Sequence, residues 1–143
     1  MTRRRQPEAC LQRAVLEHLC WRGRPGLFVF HYPAGGYRSA TEAAIMKGMG
    51  VVAGTPDLLI LYEGRLYGLE LKVTGGRLTA AQIETQEHMR AAGAMIATAA
   101  GIDAAVEQLE QWHLLRSDVS NQIARAFSGL RRDVAERMKG NAI

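Results

Sequence analysis

The chain has 143 residues, 48% of them hydrophobic and 22% charged, with a net charge of +4. That length suits one domain with a sizeable core and excludes two full ones. No apolar run approaches the ~20 residues of a membrane span, and the basic start, Met-Thr-Arg-Arg-Arg-Gln-Pro-Glu, lacks the apolar stretch of a secretory signal. Cys10 and Cys20 fall on one predicted helix, too far apart to bond, and lack the CxxC spacing of a zinc site. A reducing, cytoplasmic setting without disulfide or metal staple is expected. Charge is uneven: Arg3, Arg4 and Arg5 open the chain, and residues 116 to 143 carry six basic and three acidic side chains. Basic ends on a mildly acidic body suit a polyanion partner, although solvated termini would look the same.

Pro7 and Glu8 open a first helix, since proline fits the first turn and an acid there suits the dipole. Its apolar stripe is Leu11, Ala14, Val15, His18 and Leu19, and Gly23-Arg-Pro-Gly stops it. Leu27 to His31 reads as a short strand, and Ser39 to Lys47 as one or two helical turns. Leu58 to Leu61 and then Leu66, Tyr67, Leu69, Leu71 and Val73 read as two strands joined at Glu63-Gly64, apolar enough to be covered on both faces. Thr79 to Ala92 is helical and ends at Gly93; Ala94 to Thr98 is a strand; Ile102, Val106, Leu109 and Trp112 pattern another helix. Val119, Ile123, Phe127, Leu130, Val134 and Met138 stripe a basic helix that needs a surface: the body, a second copy or another protein. The order indicates an α/β domain over 1–115, a mixed sheet of about four strands flanked by helices, followed by a basic amphipathic segment over 116–143.

Asp57, Glu70 and Lys72 are charged residues set among those apolar strands. With Glu63-Gly64 as a two-residue loop, Tyr62 pairs with Arg65, Ile60 with Tyr67 and Asp57 with Glu70, unless a bulge shifts the register. Lys72 then shares the face of Glu70. Two carboxylates at cross-strand spacing, roughly 5 Å, repel by about 3 kcal/mol at an effective dielectric of 20. A hard divalent cation, Mg²⁺ or Mn²⁺, would remove that conflict and could activate water and polarise a phosphoryl oxygen. The competing reading is a surface hairpin in which Lys72 pairs with Glu70 or Asp57.

Pro56-Asp57 followed by Glu70-Leu71-Lys72 resembles the PD-(D/E)xK signature of restriction-endonuclease-like nucleases. The wider set resembles the VRR-NUC domains, the virus-type replication-repair nucleases. It comprises Glu8 with Leu11, Gln12, Val15, Leu16 and Leu19, then Gly35-Gly36, Lys47 with Gly50, Gly54, and Leu78-Thr79 with Gln82. Ala34 departs from the asparagine that many relatives carry there. The resemblance spans about residues 8 to 98. It implies a restriction-endonuclease-like core (αβββαβ) and hydrolysis of DNA phosphodiester bonds with Mg²⁺ or Mn²⁺. It also implies Asp57, Glu70, the Leu71 carbonyl and Glu8 as metal ligands, Lys72 as the catalytic lysine and Gln82 beside the scissile phosphate. Relatives of this size imply a homodimer acting on branched DNA such as four-way junctions, in a bacterial or phage-infected cell.

Two of these residues have plainer alternatives. Glu8 would also serve the helix dipole, and Thr79-Ala-Ala-Gln82 is a capping box in its own right. Lys47, Arg38, Arg77 and His31 are candidate DNA contacts; a solvated surface, or for His31 a structural role, competes in each case. Gly75-Gly76-Arg77 resembles an anion-binding turn but lacks the context of a nucleotide-binding P-loop, so no nucleotide cofactor is expected. The rival function is a DNA-binding accessory module that does not cut. A restriction or RNA-cleaving relative on the same scaffold is a third possibility.

Overall fold

The computed structural model describes residues 6–32 and 39–116. Arg38, the Ala34-Gly35-Gly36 stretch and the striped segment after Arg116 lie outside the described residues. The elements are α1 (Gln6–Arg22), β1 (Phe28–His31), α2 (Ala40–Gly48), β2 (Leu58–Tyr62), β3 (Arg65–Lys72), α3 (Ala80–Ala91), β4 (Met95–Ala100) and α4 (Ile102–Gln111). Most follow the local signals, although β4 runs to Ala100, two residues beyond the expected Thr98. Ser39 and Thr79 cap α2 and α3 with complete capping boxes, their side chains accepting from Glu42 N and Gln82 N.

The four strands lie in the order β1-β2-β3-β4, the first two pairings antiparallel and the last parallel. This is the mixed sheet of a restriction-endonuclease-like core. The hairpin closes at the expected loop. Glu63 and Gly64 take φ of 49° and 76°, the two left-handed residues of a type I′ turn, and the register runs from Tyr62 opposite Arg65 to Leu58 opposite Leu69. β3 ends at Lys72, one residue before the expected Val73, which is partly exposed.

One sheet face carries the main core: Val15 and Leu19 from α1 and Ala105 and Leu109 from α4 pack on Leu58, Ile60, Leu69, Leu71 and Ala99. Leu114 and Leu115 complete it as the chain turns back, with Leu115 bridged to Gly23. α3 lies across the other face against β4. Coverage of both faces therefore holds at one end of the hairpin only. Leu58, Leu59 and Ile60 are buried, whereas Leu61 near the turn is 43% exposed and its β1 partner Phe28 62%.

Candidate active site

The covered end of the hairpin is where the charged residues meet. A cavity of about 120 Å³ is lined by Glu8, Gln12, Asp57, Glu70, Leu71, Lys72 and Gln82. The chain thus gathers Glu8, Asp57, Glu70, Lys72 and Gln82 from α1, the segment before β2, β3 and the start of α3. Leu71 belongs to the core on the opposite face, so what it offers this cavity is backbone.

Glu70 is the centre of the arrangement and is 1% exposed. Its Oε1 accepts from Gln82 Nε2 at 2.5 Å and lies 2.9 Å from Lys72 Nζ. Its Oε2 is buried without a hydrogen-bond partner. Burial pushes the Glu70 carboxyl above its ordinary pKa; the hydrogen bond from Lys72 works against that shift, and the negative charge of Asp57 adds to it. The Lys72–Glu70 pair of the surface-hairpin reading is therefore present, but inside a buried setting where an isolated pair contributes little net stability.

Asp57 lies one residue before β2, where the pairing with β3 has run out. Its Oδ2 accepts the Leu71 amide at 2.8 Å, and its own carbonyl faces His31 Nδ1 at 2.7 Å. The approach to Asp57 is fixed by backbone contact with α3. A Cβ on Gly54 would fall 2.2 Å from the Ala81 carbonyl oxygen and 2.7 Å from Gln82 N, and φ there is +83°. Only glycine permits that contact. Thr85 Oγ1 donates to the Ala53 carbonyl at 2.5 Å and ties the same loop to α3 one turn later. Pro56, fully buried, lies over Gly68 of β3, where a Cβ would be 2.9 Å from its Cγ. Glycine at two positions thus sets the spacing between Asp57, Glu70 and Gln82.

Gln82 does both things that its position in the sequence allows. Its Oε1 accepts the Thr79 amide at 2.9 Å to close the capping box, while its Nε2 holds Glu70. Glu8 reaches the cavity wall from the first turn of α1, but among the described residues no three His, Cys, Asp or Glu side chains come close enough to hold one metal ion. Lys47 and Arg77 are exposed and do not line the cavity. His31 is exposed at the end of β1 and reaches the site through the Asp57 backbone.

A cavity residue, Gln12, and a buried neighbour of Gln82 on α3, Gln86, are not among the expected site residues. Gln12 lines the cavity one turn after Glu8, a spacing that puts both on one helix face. Gln86, one turn after Gln82, is fully buried with both its amide oxygen and nitrogen unpartnered. Helical periodicity from Gln82 was the available signal.

The residues fit a hard divalent cation. Such an ion takes oxygen ligands, and the cavity offers a buried carboxylate oxygen with no partner, a second carboxylate and peptide backbone.

No family model and no curated protein matches the sequence. Among solved structures, a chain described as a VRR_NUC domain protein is similar over 76% of this chain and 90% of its own length, at 28% identity and a TM-score of 0.63. Another, described as a VRR_NUC domain, is similar over 72% of this chain and 94% of its own, at 21% identity and a TM-score of 0.49. The first of these, beside the ordered site residues, supports a VRR-NUC domain for this chain.

Proposed function

We propose that this domain is a metal-dependent endonuclease that hydrolyses DNA phosphodiester bonds. The observation that carries the reading is the paired carboxylates of Asp57 and Glu70 in one cavity with the Lys72 ammonium, one carboxylate oxygen being buried and unpartnered. Asp57, Glu70 and the Leu71 carbonyl would hold Mg²⁺ or Mn²⁺, with Glu8 reaching the ion through water. When bound, the cation supplies a more acidic water and a polarised phosphoryl oxygen.

The protein's own residues divide the remaining work. Lys72 places a positive charge beside Glu70, where it can orient the attacking water or neutralise charge that grows on the phosphate. Gln82 fixes Glu70 Oε1 from the capped start of α3, so the carboxylate keeps its direction when substrate enters. The burial of Glu70 excludes bulk water from one side of the site and strengthens these charge interactions.

The finer reading comes from the family resemblance: a homodimer acting on branched DNA, such as four-way junctions, in bacterial or phage replication and repair. Two-fold pairing presents two sites to two strands, which suits that substrate. The test compares wild type with Asp57→Asn and Lys72→Ala on labelled linear, flapped and four-way-junction DNA, with Mg²⁺, Mn²⁺ or EDTA. Metal-dependent cutting that both substitutions abolish is the expected result. Tight binding with no cutting in any metal would make the domain a DNA-binding accessory module instead.

A further inference from the structure

His31 stands outside the cavity, yet it is the only side chain given to the Asp57 carbonyl among the described hydrogen bonds. β1 pairs with β2 as far as His31 opposite Leu58, and Asp57 is the next residue beyond that pair. There the ladder stops, and the imidazole takes the place of a ladder partner: Nδ1 lies 2.7 Å from the Asp57 carbonyl oxygen. A carbonyl oxygen only accepts, so Nδ1 carries the proton and Nε2 is the nitrogen left at the surface. Asp57 is then held from two sides, by β1 through its carbonyl and by β3 through Oδ2, which accepts the Leu71 amide at 2.8 Å.

We infer that His31 is a positioning residue: its Nδ1–H fixes the Asp57 peptide, and through it the direction in which the Asp57 carboxylate presents its oxygens to a divalent cation. The inference rests on the metal-dependent reading above and assigns His31 a task in place of a direct DNA contact. The physical reason is leverage. Asp57 lies outside the regular strand, so without the imidazole it is held from the β3 side alone, and the direction of its carboxylate loosens. Groups that orient a ligand from behind typically change metal affinity ten- to a hundredfold when removed.

The two ring nitrogens give the test. An asparagine amide reproduces a donor at the Nδ1 position, and a glutamine amide one at the Nε2 position. Mn²⁺ binding to metal-supplemented and stripped full-length protein is followed by the loss of the free-ion electron paramagnetic resonance signal. Exchange of the Leu71 amide with solvent is followed in metal-free protein by NMR, with the Ile60 amide in the middle of β2 as the reference for sheet opening. His31→Ala and His31→Gln are expected to weaken Mn²⁺ binding roughly tenfold and to speed Leu71 exchange while Ile60 is unchanged. His31→Asn restores both towards wild type. Rescue by glutamine and not asparagine would overturn the inference, because the bond that matters would then be made through Nε2 and not through the Nδ1–H that faces the Asp57 carbonyl. Equal acceleration at Leu71 and Ile60, or wild-type behaviour of His31→Ala, would overturn it too. A wild-type protein that takes up no Mn²⁺ and cuts nothing would end the nuclease reading alone, and the Leu71 amide would still decide whether His31 holds Asp57.

Discussion

Around Glu70 the two faces of β3 are equally dry and were made so by opposite means. Leu69 and Leu71, 0% and 3% exposed, point into the core against α1 and α4. Glu70, between them and 1% exposed, points the other way. Full burial of a leucine side chain contributes roughly 2 kcal/mol. Burying a carboxylate with one oxygen unpartnered costs free energy that a single lysine recovers only in part. On the proposed function, one strand therefore serves stability on one face and chemistry on the other. The sheet tolerates the second because the first is well packed.

That division can be broken from either side. Glu70→Gln keeps the shape of the side chain and removes its charge. Losing several kcal/mol of transition-state stabilisation, it should lower DNA cleavage by roughly a thousandfold, and the melting temperature of the metal-free protein should not fall. Leu69→Ala, one residue away on the opposite face, should do the reverse. It should cost about 3 kcal/mol in a urea unfolding experiment and leave the cleavage rate per folded molecule close to wild type. Similar losses of activity and stability in both variants would mean that the two faces do not divide the work.

A smaller effect concerns pH. Because burial raises the Glu70 pKa, the folded state holds that proton more tightly than the unfolded chain does. Its contribution to stability is therefore present below the ordinary carboxylate pKa and is lost as pH rises through the raised value. Other carboxylates titrate in the same range, so the readout is the difference in unfolding free energy between wild type and Glu70→Gln across pH 4 to 8 in EDTA. That difference should move against wild type as pH rises. A constant difference would mean that Glu70 is not protonated more readily in the fold than outside it.

The residues show why so much of this was legible. The hairpin register followed from a single turn signal at Glu63-Gly64, because a period of two leaves no freedom once the loop is fixed. With the register came the shared cavity of Asp57, Glu70 and Lys72. Spacing could not show how each acid is held. Asp57 turns its carboxylate to the Leu71 amide rather than standing free opposite Glu70, and its carbonyl is taken by His31, 26 residues earlier in the chain. Gln86 was legible only in part: helical periodicity sets it on the face of Gln82, but only the seating of α3 on the sheet buries it.

The smallest predicted effect tests whether α3 is only a cover for that face or part of the site. Thr79→Ala removes the hydroxyl that accepts Gln82 N at 3.2 Å, and a lost cap costs about 1 kcal/mol. If α3 is merely a lid, the loss should end with stability. The geometry says otherwise, because the Gln82 side chain spans both roles, accepting the Thr79 amide and donating to Glu70. Fraying the first turn should loosen Gln82 and with it the direction of Glu70, so cleavage should fall severalfold beyond what the unfolded fraction explains. Thr79→Ser, which keeps the hydroxyl, should restore both quantities. If Thr79→Ala lost stability and kept full activity, the Gln82–Glu70 bond would belong to the cap and not to the chemistry.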